Sequence, residues 1–244
     1  MLTGKVALVT GGSRGIGAAI VTTLARHGAD VALTYVSSAE QAAGVVDTVK
    51  AGGTRGLAIH ADSAHPEGVV RAVEQTADHF GRLDILVNNA GFFPFGLLED
   101  LTLEDIDRTL AVHVRAALRA SQAAIKYMTE GGRIINIGSN LAERVPSAGM
   151  TLYAASKSAL LGMTRGLARE LGDRGITANV VNPGPTDTDM NPASGPAADG
   201  LRALTALGRY GDPADVADMV AHLAGPGGRT ITGASILVDA GSNA

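Results

Sequence analysis

Residues 10–17 read Thr10-Gly11-Gly12-Ser13-Arg14-Gly15-Ile16-Gly17, between an apolar run, Lys5–Thr10, and a helical pattern, Ile16–His27. Strand, glycine-rich turn and helix follow one another directly. Such a turn lets backbone approach a phosphate closely. The helix start then offers free N–H groups and the positive end of a dipole. The glycines stand at 11, 15 and 17, a spacing unlike the commoner Gly-x-Gly-x-x-Gly turn. In this context the turn reads as the pyrophosphate cradle of a dinucleotide site.

The same alternation continues outward. Further strand candidates are Asp30–Tyr35, Gly56–His60, Leu83–Asn88, Arg133–Gly138, Thr177–Asn182 and Ser235–Val238. Most are continuously apolar, as strands covered on both faces are. Helical patterns lie between them at Ala39–Lys50, Glu67–Phe80, Leu103–Met128, Leu152–Leu171 and Pro213–Leu223, the last opened by Asp212 and Pro213. The pattern predicts right-handed βαβ crossovers and one α/β domain over residues 1–244: a doubly wound, Rossmann-type, seven-stranded parallel sheet with helices on both faces. The long segment 183–207 is predicted irregular at its start, Pro183–Gly200, and placed as a lid over the carboxyl edge of the sheet.

Composition limits the function. The chain has 244 residues, 45% of them apolar, with no Trp and a net charge of −4. No basic stripe is present, so nucleic acid is not an expected partner. No cysteine is present, which excludes disulfides and Cys-ligated zinc. His27, His60, His65, His79 and His222 have no metal-ligand spacing, so no metal is expected. The first strand begins by Lys5 and no apolar run reaches membrane-span length; the expectation is a soluble cytoplasmic protein.

The second strand ends at Tyr35, where an NAD site would carry an acid for the ribose 2′-hydroxyl. Without that carboxylate nothing repels a 2′-phosphate. Arg14, Ser37 and Ser38 are the groups expected to bind one. NADP(H) is therefore the expected cofactor.

Farther along, Ser139 ends the fifth strand, and Tyr153 and Lys157 stand four residues apart on one helical face. A free Tyr has a pKa of about 10, and a neighbouring ammonium lowers it. Such a Tyr can protonate an alkoxide or deprotonate an alcohol, with Ser139 donating to the substrate oxygen.

Thr10–Gly17, Asn88-Asn89-Ala90-Gly91, Ser139, Tyr153-Ala-Ala-Ser-Lys157 and Asn182-Pro183-Gly184 resemble, in order and spacing, the successive motifs of the short-chain dehydrogenase/reductases. The resemblance covers nearly the whole chain. It implies a cofactor site formed by Gly11, Ser13, Arg14, Gly15, Ile16, Gly17, Tyr35, Ser37, Ser38, Asp62, Ser63, Asn89, Ala90, Gly91, Tyr153, Lys157, Pro183, Gly184, Thr186 and Thr188. Asp62 would hold the adenine amine, and Asn89 and Ala90 would line the adenine-ribose side. Lys157 would also bind the nicotinamide ribose, and Thr186 and Thr188 the carboxamide. Hydride would pass to a carbonyl carbon while Tyr153 delivers the proton.

One position departs from the family. His113 stands where the long helix usually carries an Asn that helps hold a water linking the catalytic Lys to solvent. Three readings are open: the helix tolerates both residues; His113 takes over the proton relay and joins Ser139, Tyr153 and Lys157 as a catalytic residue; or catalysis is impaired, which leaves a non-enzymatic role.

Phe92-Phe93-Pro94-Phe95 and Asn140-Leu141 are the candidate substrate walls, with Phe93, Phe95, Asn140 and Leu141 as the pocket residues. The alternative for the phenylalanines is packing on a neighbouring subunit or in the core. The expected activity is NADPH-dependent reduction of a hydrophobic ketone or aldehyde.

Two other readings stand beside it. The chain also resembles 3-oxoacyl-carrier-protein reductases, though of the two basic positions for carrier docking one is Glu130 and only Arg174 is basic. A non-catalytic regulator binding NADP or a cyclic dinucleotide is the other. The resemblance implies a homotetramer, or a dimer, built on Leu103–Met128 and Leu152–Leu171, with Ile236–Val238 at a second interface.

Overall fold

β1 (Val6–Val9) is buried on both faces, and its side chains divide by parity: Ala7 and Val9 enter one apolar cluster, Val6 and Leu8 the other. This two-sided burial explains why the run is apolar throughout instead of alternating. The computed structural model describes residues 1–244 as one domain. Its single sheet has the order β3-β2-β1-β4-β5-β6-β7. The remaining strands are β2 (Asp30–Tyr35), β3 (Gly56–His60), β4 (Ile85–Asn88), β5 (Arg133–Ile137), β6 (Thr177–Pro183) and β7 (Ser235–Val238), and every pairing is parallel.

Helices α1 (Gly15–Arg26), α2 (Ala39–Ala51) and α8 (Pro213–Ala224) cover one face. Helices α3 (Pro66–Phe80), α5 (Ala116–Ala124) and α6 (Thr151–Leu171) cover the other. Leu8, Leu86 and Ile134 are fully enclosed there. Each such side chain contributes about 1.5–3 kcal/mol by leaving water. Strand order reverses between β1 and β4, and the crevice at the carboxyl ends opens there, as doubly wound sheets require.

Two predicted stretches differ in detail. The helix predicted over Leu103–Met128 is three segments: α4 (Leu103–Leu110), a π-helical turn over Ala111–Arg115, and α5. Helical periodicity alone does not reveal one inserted residue, the origin of such a turn. The segment predicted irregular over Pro183–Gly200 starts inside β6 and ends inside a short helix, α7 (Ala198–Ala203). A bridge from Thr186 to Gly211 ties it down between them. At α8, Asp212 caps the helix through Ala214 N, with Pro213 in the first turn, as predicted. No helix is long and apolar enough to cross a membrane.

Candidate active site

A cleft of about 800 Å³ runs along the carboxyl ends of the strands. Every sequence-predicted site residue lines it except His113, which lies behind Lys157 against a second cavity of about 10 Å³.

At one end is the glycine turn. Gly11 and Gly15 hold φ of +65° and +53°, left-handed conformations that L side chains rarely adopt. A Cβ on Gly17 would fall 2.2 Å from the Gly11 carbonyl oxygen, so this cradle closes only around glycine. Gly12 N donates to Thr34 O and Gly11 N to Thr34 Oγ1, both at 2.9 Å, pinning the turn to β2. No side chain caps α1, and its first turn holds no acid. Its first N–H groups are therefore free for an anion, which fits a pyrophosphate. Asn89, expected beside the adenine ribose, spends its amide on the carbonyls of Thr10 and Gly11, both at 2.9 Å. It braces the turn.

Toward the adenine end, the Tyr35 ring meets His60 edge-on at 5.5 Å, and no carboxylate replaces the missing acid. Arg14 lies 3.9 Å from Asp189, which follows β6; both are exposed and line the cleft. Asp62 accepts from Ala64 N at 2.8 Å.

At the other end stand Ser139, Tyr153 and Lys157. Asn182 Oδ1 accepts from Ser139 N at 3.1 Å, and Ser139 Oγ accepts from Leu141 N at 3.1 Å. The hydroxyl itself donates only a long bond, to Asn140 Oδ1 at 3.5 Å. Lys157 Nζ donates to Ile137 O at 2.9 Å and lies 5.7 Å from the centre of the Tyr153 ring. Burial pushes the Lys157 ammonium down to about 8. Burial pushes the Tyr153 phenol up, with the Ser139 hydroxyl acting in the opposite direction. Desolvation is the largest effect on Tyr153, and it acts opposite to the lowering expected from a neighbouring ammonium.

The family model described as enoyl-(acyl carrier protein) reductase matches residues 11–243. A short-chain dehydrogenase from Burkholderia cenocepacia J2315, solved in complex with NADP, is 60% identical and superposes with a TM-score of 0.99, covering 100% of this chain and 99% of that one. The chain belongs to the short-chain dehydrogenase/reductase family. Among curated relatives, the cyclic-di-GMP-binding biofilm dispersal mediator protein of Escherichia coli (strain K12) is 49% identical over 237 residues, 97% of this chain and 96% of that protein. Versicolorin reductase 1 of Aspergillus parasiticus is 41% identical over 256 residues, 99% of this chain and 97% of that protein.

In this short-chain dehydrogenase/reductase, His113 sits in the π-helical turn, buried, with both ring nitrogens engaged. Nε2 accepts from Phe92 N at 3.1 Å, and Nδ1 lies 2.8 Å from Ser156 Oγ. Burial, and then the Lys157 charge, push its pKa down to about 3. A Cβ on Gly91 would lie 3.2 Å from His113 Nε2 and 3.5 Å from Lys157 Nζ, so glycine lets the strand end pass between them.

The phenylalanines face the cleft. Phe93 packs edge-on against Tyr153 at 4.8 Å and lies parallel to Phe95 at 6.2 Å. Phe92 lines the cleft with them, and Met150, Met190 and Leu204, not singled out by sequence, extend this apolar wall. On the opposite wall Asn140 Nδ2 donates to Ser242 Oγ at 3.1 Å and Asn243 Oδ1 at 3.3 Å, while Asn243 Nδ2 donates to Asn140 O at 2.8 Å. Arg144 donates to Ser242 O. The turn Asp239–Asn243 thus braces the loop after Ser139. No local sequence signal announces a partner a hundred residues away.

Proposed function

We propose that this chain is an NADP(H)-dependent carbonyl reductase acting on hydrophobic ketones and aldehydes. One observation carries the reading: the Tyr153 phenol shares an apolar-walled cleft with the Ser139 hydroxyl and Lys157, and a glycine cradle lies at the other end.

The cradle of Gly11, Gly15, Gly17 and the α1 N-terminus would hold the pyrophosphate. Arg14, Ser37 and Ser38 would hold the 2′-phosphate, and Thr186 and Thr188 would line the nicotinamide end. The relative solved with NADP supports this choice of cofactor. Bound there, the cofactor supplies the hydride that reduces the carbonyl carbon. Ser139 would orient the carbonyl oxygen by turning its hydroxyl proton from the long bond to Asn140 Oδ1 onto the substrate. Tyr153 gives that oxygen its proton as charge develops. Lys157 sets the polarity beneath the phenol and can restore its proton.

His113 acts here as a positioning residue. Its hydrogen bonds hold the Phe92 backbone, and through it the Phe93 ring against Tyr153. The relay role considered from sequence would need a ring nitrogen free to exchange protons, and both are taken.

The carrier-protein reading is weaker. Arg174, its remaining basic group, donates to Ile125 O and Met128 O at 2.6 and 3.1 Å, closing the end of α5 instead of facing a partner. The cyclic-dinucleotide reading has support in the name of the Escherichia coli relative. Exposed Leu103, Leu110 and Leu118 along α4 and α5 support self-association, which we propose as a homotetramer.

The test mixes the purified protein with NADPH and a panel of aryl, aliphatic and 3-oxo-ester ketones. Turnover lost in Tyr153→Phe supports the reductase. Tight binding of cyclic-di-GMP with no ketone turnover supports the regulator.

A further inference from the structure

The charges inside the cleft narrow its substrate. The end around Tyr153 is walled by Phe92, Phe93, Phe95 and Leu141. The two carboxylates that line the cleft stand elsewhere: Asp62 follows β3 on the adenine side, and Asp189 pairs with Arg14. Besides Arg14 and Lys157, one more cation lines the cleft, Arg108 of α4.

Arg108 is exposed, with its guanidinium 5.6 Å from the centre of the Phe92 ring. It has no carboxylate within 4.0 Å and donates no hydrogen bond within the protein. Glu104, one turn earlier on the same helix, is placed for an i,i+4 pair that does not form. A guanidinium lying on an aromatic ring keeps its donor edges free, and those edges match a carboxylate or phosphate.

The platform under Arg108 is also tied to the chemistry. Phe92 N donates to His113, the Phe92 and His113 rings are 5.2 Å apart, and His113 and Tyr153 are 5.8 Å apart. Cation, platform and acid are held on one frame.

Resting on the reductase reading, we infer that Arg108 is a specificity residue and that the substrate is an anionic ketone. Its apolar body lies along the phenylalanine wall, its carbonyl meets Ser139 and Tyr153, and its carboxylate or phosphate meets Arg108. Neutral ketones fill the same wall and leave the guanidinium without a partner.

The experiment compares three ketones with NADPH: an aryl ketone bearing a carboxylate on a short chain, its methyl ester, and a 3-oxo thioester ending in a phosphate. Wild type, Arg108→Gln and Arg108→Lys are measured, with NADPH binding followed by fluorescence to establish that each variant is folded. The expected result is a kcat/KM for the better anionic ketone about tenfold above the ester, the scale of a charge-assisted hydrogen bond. That ratio declines as salt is added, falls toward one in Arg108→Gln and survives in part in Arg108→Lys. Whichever anion leads, the acid or the phosphate thioester, identifies the source of the charge. Equal turnover of ester and anions, or a ratio that survives Arg108→Gln, overturns the Arg108 assignment alone. No turnover of any of the three by wild type overturns the reductase reading and this inference with it.

Discussion

His113 Nδ1 lies 2.8 Å from Ser156 Oγ, and that hydroxyl donates in turn to Tyr153 O at 2.7 Å. With its proton committed to Tyr153 O, Ser156 Oγ is an acceptor for the imidazole. Nδ1 therefore carries the hydrogen, and Nε2, which accepts from Phe92 N, does not. One serine sets the tautomer of His113.

His113 is therefore uncharged through the working range of pH. Replacing it by Asn is expected to leave the pH dependence of kcat unmoved between about pH 5 and 9. His113→Ala is expected to raise KM for aryl ketones, because the Phe92 backbone loses its anchor. A shift of the pH profile in His113→Asn would restore the relay role.

The same residue contributes to acid stability. Its folded pKa of about 3 lies below the ordinary imidazole value of 6.5, so the unfolded chain binds more protons between these values. Stability is present above pH 6.5 and is lost as pH falls toward 3, by on the order of 4 kcal/mol. Lys157 acts likewise at the alkaline side: stability rises with pH between about 8 and 10.5. Urea unfolding from pH 4 to 7 is expected to show a flatter acid limb in His113→Asn than in wild type.

Gly17→Ala places a Cβ 2.2 Å from the Gly11 carbonyl oxygen and 2.6 Å from Asn89 Nδ2. Backbone must move, and the turn opens. The expected cost is about 3 kcal/mol of stability together with loss of NADPH binding. Thermal unfolding and a fluorescence titration read the two effects separately.

Arg14 pairs with Asp189 in the protein, and in the proposed cofactor site it would also meet the 2′-phosphate. Asp189→Asn removes the competitor and is expected to tighten NADPH severalfold with little change for NADH. Arg14→Ala is expected to erase roughly tenfold of the NADPH preference. Dissociation constants for both nucleotides check this.

Much of this was legible in the sequence. Strands buried on both faces show as continuous apolar runs, and glycines 11, 15 and 17 mark a turn with the steric limits now seen. What stayed hidden depends on distance or on backbone detail. The π-helical turn at Ala111–Arg115 adds one residue to a periodicity that tolerates it. Ser156 sits inside a motif legible as Tyr-x-x-x-Lys, yet its tie to His113 crosses 43 residues. The brace of Asn140 by Asn243 crosses 103. The upward push on the Tyr153 phenol comes from desolvation, which no spacing of residues conveys.

The most direct test is NADPH oxidation by wild type and Tyr153→Phe with one aryl ketone, alongside NADPH binding to both. Turnover in wild type, its loss by at least about a hundredfold in the variant, and equal NADPH affinity are the predicted result. Turnover that survives in Tyr153→Phe, or wild type that binds NADPH and reduces no ketone, would contradict the account.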